Sequence, residues 1–305
     1  MSDSEILFEV KSGLGVITLN RPKALNAITL GMIQEMEKVV PDWERDPAIK
    51  AVILRGAGDR AFCAGGDVAG LYREMRDDPQ GTLRRDFFYE EYIVNRRIYR
   101  YAKPWISLID GIDMGGGVGF SVHGSHSVAS EKFLFAMPET TIGLFPDVGG
   151  GYFLTRLPGA LGTFLALTSH RLKAADALWA GIVDAYVPRA KINALQDALG
   201  DERYRRVFLG RDASGDRGQP GETRRRMGGQ AACGAAQTLA AVDGDHARAD
   251  EALCQPVVRG HDDHRVPHVA GMHAAGPRLL RGRARPADRQ GPEAEMEPLV
   301  DRGCD

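Results

Sequence analysis

Short apolar runs, several of them alternating with polar residues, recur through the first two hundred residues and predict β-strands. The clearest are bounded by Gly, Pro or charged residues and cover positions 6–10, 16–19, 51–54 and 105–109. Helical spacing lies between them, over positions 87–101, 160–167 and 174–180. A further helix is predicted after a Thr29 cap, with an apolar stripe of Leu30, Ile33, Met36, Val39 and Val40. Alternating strands and helices predict an α/β fold with strands covered on at least one face.

The chain changes character near residue 200. The last 105 residues hold 17 arginines, no lysine, no isoleucine and no aromatic residue after Phe208. A packed core depends on aromatic and branched side chains. We therefore predict a domain over residues 1–200 and an atypical, poorly ordered C-terminal tail rich in Arg, Ala and Gly over residues 201–305.

Composition excludes several classes of protein. With 305 residues, 43% hydrophobic, 26% charged and a formal net charge of −2, the chain as a whole is neither disordered, nor a disulfide miniprotein, nor a polybasic nucleic-acid binder. Its four cysteines lie at no metal-ligand or redox spacing and are interpreted as reduced thiols. No secretory leader or membrane-length apolar stretch is present in the sequence. We expect a cytoplasmic protein with no membrane partner.

Three glycine clusters fall at predicted strand-to-helix corners, at positions 65–66, 115–119 and 149–151. Glycine allows a ligand to approach the main chain, and the first amides of a helix favour negative charge. Tight turns and close packing alone are the alternative explanation for any one cluster. A dinucleotide-binding fingerprint is not favoured, because Phe120 stands where the third glycine of that motif belongs.

The motifs NRPKALNA (20–27), AFCAGGD (61–67) and GIDMGGG (111–117) resemble the crotonase superfamily of enoyl-CoA hydratases and isomerases. The motifs FFYEEY (87–92), GGGVGFSVHG (115–124) and FAMPETTIGLFPDVGGGY (135–152) look like its 3-hydroxyisobutyryl-CoA hydrolase branch. The resemblance covers about residues 5–190. It implies a crotonase-like spiral of repeated β-β-α units.

The resemblance implies a CoA thioester whose carbonyl oxygen accepts hydrogen bonds from the N–H groups of Gly66 and Gly116. Such preorganised donors stabilise developing negative charge by about 3–4 kcal/mol each. Glu139 matches the general acid/base position, and the apolar residues before it predict a raised pKa. Asp147 matches a second acidic position and Glu91 a substrate-contacting glutamate. The alternatives are a solvated turn carboxylate for Glu139 and an exposed helix charge for Glu91.

Other residues matched to the family's substrate-binding positions are Ala64, Asp67 and Lys23. Lys23 and Arg21 match the segment near the CoA phosphates, although surface charges in a loop are an equal alternative. No metal and no cofactor is implied, since CoA is part of the substrate. The resemblance implies homo-oligomers in general, but the family assembles through the region replaced here by the atypical tail, so self-association of this chain is doubtful.

Gly119 stands where hydratases of this group have a second glutamate. Hydration needs that second proton-handling group, whereas thioester hydrolysis does not. Gly119 therefore favours hydrolysis over hydration, and the resemblance implies a short branched 3-hydroxyacyl-CoA as the substrate, with 3-hydroxyisobutyryl-CoA of valine catabolism as the best candidate. Whether Glu139 attacks the thioester or activates water stays open. The alternatives are an enoyl-CoA hydratase or isomerase, and an impaired CoA-binding remnant whose altered C-terminus no longer completes the pocket.

The tail also contains possible binding motifs. Four histidines between positions 261 and 273 have spacings that a metal could use, and the arginine runs at 224–226 and 281–289 could attract nucleic acid. We favour neither reading, because the same composition arises from GC-rich codons read out of frame.

We predict that the tail is frame-shifted, by sequencing error or mutation, from a point between about residues 190 and 240. Codons permitted for residues 278–290 can be read one base later as DFYEGVRALLIDK, which resembles the family's ending, and the agreement continues beyond residue 291 in the same register. Resequencing the gene tests this prediction. A DNA sequence that cannot encode those words in the shifted frame would exclude it.

Overall fold

A computed structural model of the chain describes residues 4–203 and 205. Strands and helices alternate through this part. In chain order the elements are β1 (Ile6–Lys11), β2 (Leu14–Leu19), α1 (Leu30–Arg45), β3 (Ala51–Gly56), β4 (Ala61–Cys63), α2 (Val68–Asp77), α3 (Leu83–Arg100), β5 (Trp105–Ile109), β6 (Ile112–Met114), α4 (Gly116–Ser121), β7 (His126–Ala129), β8 (Leu134–Ala136), α5 (Gly150–Phe153), α6 (Leu161–Thr168), β9 (Leu172–Lys173), α7 (Ala174–Ala180), β10 (Ala185–Tyr186) and α8 (Arg189–Leu199).

The predicted strands and helices are confirmed, with bounds that differ by a few residues. Thr29 caps α1 as expected, since its side chain accepts a hydrogen bond from the Met32 amide at 3.3 Å. The predicted helix at 87–101 begins earlier and covers Leu83–Arg100. Two of the longer helices, α2 and α8, and several short strands, among them β4, β6 and β8, were not predicted with bounds. In α8, Ile192, Leu195 and Leu199 follow a helical spacing and are buried, which was the available signal.

Successive strands of the described part of the chain add to two sheets. The larger has the strand order β1-β2-β3-β5-β7-β10 and the smaller β4-β6-β8-β9. Each strand pair β3-β4, β5-β6 and β7-β8 adds one parallel strand to each sheet, and a helix or helical turn follows the second strand. This repetition confirms the predicted α/β spiral of β-β-α units.

The large sheet is covered on both faces. Neighbouring residues of a strand point to opposite faces, and in this sheet they belong to different apolar clusters. Val16 and Ile53 pack with α8 in one apolar cluster. Ile17 and Leu54 belong to the other and larger cluster, which includes α1. The central strands β2, β3, β5 and β7 are therefore almost entirely buried, which explains why they appear in the sequence as short, nearly continuous apolar runs.

The predicted domain boundary at residue 200 falls one residue after α8. The predicted poorly ordered tail, together with its histidine and arginine motifs, lies outside the described residues except for positions 201–203 and 205. The poorly ordered tail and its binding motifs therefore stay predictions.

A buried asparagine holds the loop before α1 against the end of β3 and the start of β4. Asn26 has a positive φ of 57° and no solvent exposure. Its Nδ2 donates to the carbonyl oxygens of Ala57 at 2.9 Å and Ala61 at 2.8 Å, while its Oδ1 accepts from the Arg21 amide at 3.0 Å. The next residues, Ala27 and Ile28, lead to the Gly65–Gly66 corner, where the Ile28 amide donates to the Gly65 carbonyl.

We expect Asn26→Ala to lower the free energy of unfolding by about 1–3 kcal/mol, because buried main-chain groups lose their partners and alanine disfavours a positive φ. Urea unfolding measures the change. Asn20→Ala is the matched control, since the Asn20 side chain makes one exposed hydrogen bond to the Ser4 carbonyl, and it should cost less than about 0.5 kcal/mol. Equal effects of the two substitutions would contradict this role of Asn26.

Candidate active site

Two strand-to-helix corners bring a pair of glycine amides together. Gly65 and Gly66 join β4 to α2, and Gly115 joins β6 to α4, which begins at Gly116. A Cβ atom built on Gly116 would lie 3.2 Å from the Gly66 nitrogen, and one built on Gly65 would lie 3.6 Å from the Gly116 nitrogen. Among the described residues, neither amide donates a turn or loop hydrogen bond to a main-chain carbonyl. The Gly116 amide also lacks an acceptor within its helix, because it belongs to the first residue.

Packing at these corners leaves no room for side chains. A Cβ atom on Gly66 would lie 2.8 Å from the Phe87 ring, and one on Gly116 would lie 2.5 Å from Glu91 Oε1. Gly65 and Gly115 have positive φ angles of 113° and 50°. Glycine is therefore required here for both space and conformation.

Glu139 lies beside this pair of amides, on the helical turn that follows β8. Its Oε1 is 3.3 Å from the position of a Cβ atom on Gly115. The residue is 6% exposed, and neither carboxylate oxygen has a hydrogen-bond partner in the described part of the chain. Burial raises the pKa of Glu139 to about 7, and the nearby Asp147 charge adds to the shift. The raised pKa predicted from the sequence is confirmed, and a solvated turn carboxylate is excluded.

Two further acids face the same region. Glu91, on α3, is 2% exposed, and burial together with the charges of Asp147 and Glu139 raises its pKa to about 8. It is therefore not an exposed helix charge. Burial also raises the pKa of Asp147, whose Oδ2 accepts a hydrogen bond of 2.9 Å from the Tyr92 hydroxyl. Sequence reasoning missed Tyr92, although it adjoins Glu91 on the same helix.

The site has no space for a second glutamate at position 119. A Cβ atom on Gly119 would lie 2.6 Å from Val148 Cβ and 2.8 Å from Asn95 Oδ1. Val148 has a positive φ of 42°, which is strained for a β-branched residue. Asn95 is a second residue that the sequence reasoning missed, and its position one turn after Glu91 was the available signal.

The remaining predicted residues lie in two segments, the helical turn before α1 and the connection between β4 and α2. Lys23 is exposed in a helical turn at Pro22–Ala24 and is accessible to an anion. Arg21, in contrast, is held by Glu5 at 2.9 Å and by Asp67 at 3.0 Å, which indicates a structural role.

Asp67 and Ala64 are also engaged within the fold. Asp67 caps α2 by accepting from the Gly70 amide at 2.9 Å, and Ala64 donates its amide to Leu25 at 3.0 Å. Both residues position the Gly65–Gly66 corner, and neither Asp67 oxygen is without a partner, since the second accepts from Arg21.

The described part of the chain offers neither a metal cluster nor a membrane span. No group of three His, Cys, Asp or Glu side chains there could hold a metal ion. None of its helices combines the length and apolar character needed to cross a bilayer.

Comparison with known proteins agrees with the geometry. The sequence pattern of the Enoyl-CoA hydratase/isomerase family matches residues 14–217, and the chain belongs to this family. The chain is 55% identical over 196 residues to the mitochondrial 3-hydroxyisobutyryl-CoA hydrolase of Rattus norvegicus, and 52% identical over 195 residues to the protein of that name from Homo sapiens. Each match covers 64% of this chain and 50% of the relative, so the chain spans about half the length of these curated relatives.

Solved structures show the same fold. A carnitinyl-CoA dehydratase from Mycobacterium thermoresistibile matches with a TM-score of 0.64 and 39% identity, over 82% of this chain and 74% of that one. An enoyl-CoA hydratase from Rhodobacter sphaeroides 2.4.1 matches with a TM-score of 0.62 and 34% identity, over 82% of both chains. The resemblance inferred from the sequence motifs is therefore confirmed.

The expectation of a cytoplasmic protein is wrong. The curated relatives are named as mitochondrial proteins, and these names point to the mitochondrion. Composition and cysteine spacing indicated a reducing environment, but they do not distinguish one such compartment from another.

We expect Glu139→Gln to stabilise the protein at pH 8 by up to about 3 kcal/mol and to have almost no effect at pH 4.5. The folded-state pKa of about 7 lies above the ordinary value of 4.5. The folded protein therefore holds an extra proton between these values, and its stability falls as the pH rises through them. Urea unfolding at both pH values measures the difference, with pH 4.5 as the internal control for packing. An equal change in the free energy of unfolding at pH 8 and pH 4.5 would argue against the raised pKa of Glu139.

Proposed function

We propose that this chain binds an acyl-CoA thioester at the Gly66 and Gly116 amides and hydrolyses it. The best candidate reaction converts 3-hydroxyisobutyryl-CoA and water to 3-hydroxyisobutyrate and CoA, a step of valine catabolism. The observation that carries the proposal is the buried Glu139 carboxylate beside two neighbouring amides, none of which has a hydrogen-bond partner among the residues that the structure describes. The names of the curated relatives support the choice of reaction and substrate.

In the proposed reaction, the two amides form an oxyanion hole for the thioester carbonyl oxygen. Attack on the carbonyl carbon moves negative charge to this oxygen, and main-chain donors fixed by the fold stabilise it without reorganising. Their environment is suitable because Phe87, a member of the apolar cluster, packs against Gly66 and lowers the local dielectric constant, which strengthens the interaction.

Glu139 supplies the basic group in this proposal. With a pKa of about 7, its ionised form is well populated near neutrality. The carboxylate either attacks the thioester to form a mixed anhydride, which water then cleaves, or removes a proton from the attacking water. In both routes one water is consumed, the carbon–sulfur bond breaks and the thiolate leaves as CoA.

The other acids have supporting roles. Glu91, with a pKa of about 8, is mostly protonated at neutral pH and is proposed to contact the substrate beside Gly116. Asp147 is held by Tyr92 and is proposed as the second acidic group of the site. Lys23 is proposed to contact the CoA phosphates from the rim. This chemistry uses CoA only as part of the substrate and needs no separate cofactor.

Two alternatives remain distinct from this proposal. Hydration of an enoyl-CoA is disfavoured, because Asn95 and Val148 occupy the space that a second glutamate at position 119 would need. A CoA-binding protein with impaired catalysis is the second alternative, because residues 201–305 hold 17 arginines but no lysine or isoleucine, a composition that differs from the rest of the chain.

We expect the chain to release thiol from 3-hydroxyisobutyryl-CoA, and Glu139→Gln to lower kcat by about 100-fold or more, because the basic group is lost. Thiol release is measured for this chain and for a version with the C-terminal reading frame restored. Glu90→Gln is the matched control, since Glu90 is a partly exposed glutamate on α3 whose side chain accepts a hydrogen bond from Gln34. It should leave kcat unchanged.

The outcomes distinguish thioester hydrolysis, enoyl-CoA hydration and CoA binding with impaired catalysis. Equal turnover by the wild type and Glu139→Gln would refute the role of Glu139. Hydration of crotonyl-CoA without thiol release would favour the hydratase. Thioester binding without turnover by this chain, together with activity of the frame-restored version, would favour the impaired remnant.

A further inference from the structure

Asn95 carries a buried side-chain amide that has no hydrogen-bond partner among the described residues. It lies on α3, one helical turn after Glu91, and is 5% exposed. In the described part of the chain, neither its Nδ2 nor its Oδ1 has a partner. Because an unpaired buried amide costs free energy, its presence at this position points to a ligand group that completes the pairing.

Gly119 packs directly against the Asn95 side chain. A Cβ atom at position 119 would lie 2.8 Å from Oδ1 and 3.1 Å from Nδ2 of Asn95. Any other residue at position 119 would displace the amide. The absence of a side chain there thus lets the Asn95 amide, and not a carboxylate at position 119, be the polar group in this part of the site.

Asn95 also lines a cavity of about 230 Å³, with Tyr92, Tyr99, His123 and Tyr152 among its other walls. The same Tyr92 donates its hydroxyl hydrogen to Asp147. The cavity therefore adjoins the group of buried acids and is walled mainly by aromatic rings. Its volume suits a short acyl chain or part of one.

We propose that Asn95 binds the hydroxyl group of the 3-hydroxyacyl chain and determines the specificity of the site for hydroxylated acyl groups. A carboxamide presents a donor and an acceptor side by side, and an alcohol needs one of each. The proposal rests on the proposed thioester hydrolysis. A thioester without the hydroxyl group leaves the buried amide unpaired, and sites of this kind discriminate strongly against such analogues.

The test compares 3-hydroxyisobutyryl-CoA with isobutyryl-CoA, which lacks only the hydroxyl group. We expect the wild type to favour the hydroxylated substrate in kcat/KM by about 100-fold or more. Asn95→Leu, which is similar in size, should reduce this preference at least tenfold, by losing activity on the hydroxylated substrate alone. Its Tm should be equal to or higher than that of the wild type, because an unpaired buried amide has been removed.

Ile93→Ala, at a partly exposed position on the same helix, is the control and should leave the preference unchanged. Equal losses on both substrates in Asn95→Leu would overturn the inference and indicate that Asn95 positions the attacking water or the fold. A lower Tm accompanied by an unchanged preference would also overturn it, because Asn95 would then be structural.

Equilibrium binding of the two thioesters separates this inference from the proposed function. If the wild type hydrolyses neither thioester, the proposed function fails. In that case a preference in Kd for the hydroxylated thioester, lost in Asn95→Leu, would still support the role of Asn95. Equal Kd values for the two thioesters in the wild type would refute it.

Discussion

The close approach of two strand-to-helix corners is the constraint on which the site depends. Backbone packs directly on backbone where Gly65 and Gly66 meet Gly115 and Gly116, and no side chain fits at the contact. The spiral places these corners next to each other, because β4 and β6 are neighbouring parallel strands of the small sheet. Two main-chain donors are thereby fixed side by side by the fold.

Burial of three acids near this contact is costly for the fold. Each of Glu91, Glu139 and Asp147 has a raised pKa, and their charges disfavour one another. Only Asp147 receives a hydrogen bond from a neighbouring side chain, Tyr92, among the described residues. Local conflicts of this kind are typical of functional sites, where stability is lost in exchange for reactivity.

Features that depend on neighbouring residues were predictable from the sequence. Features that depend on contacts between distant residues were not. Thr29 caps the helix that begins at the next residue, and the apolar residues before Glu139 indicate its burial, so both predictions needed only neighbouring positions. The contact of Tyr92 with Asp147 joins residues 55 positions apart. Arg21 appeared available for phosphates because its partners, Glu5 and Asp67, approach only in the folded chain.

Gly119 limits how this scaffold can change its chemistry. A glutamate introduced there would collide with Asn95 and with Val148, whose backbone is already strained. Conversion of the proposed thioester hydrolysis to enoyl-CoA hydration therefore requires coordinated substitutions on α3 and in the segment before α5. A glutamate at position 119 alone would be selected against. This evolutionary barrier offers a physical reason why one scaffold could sustain separate lineages of enzymes.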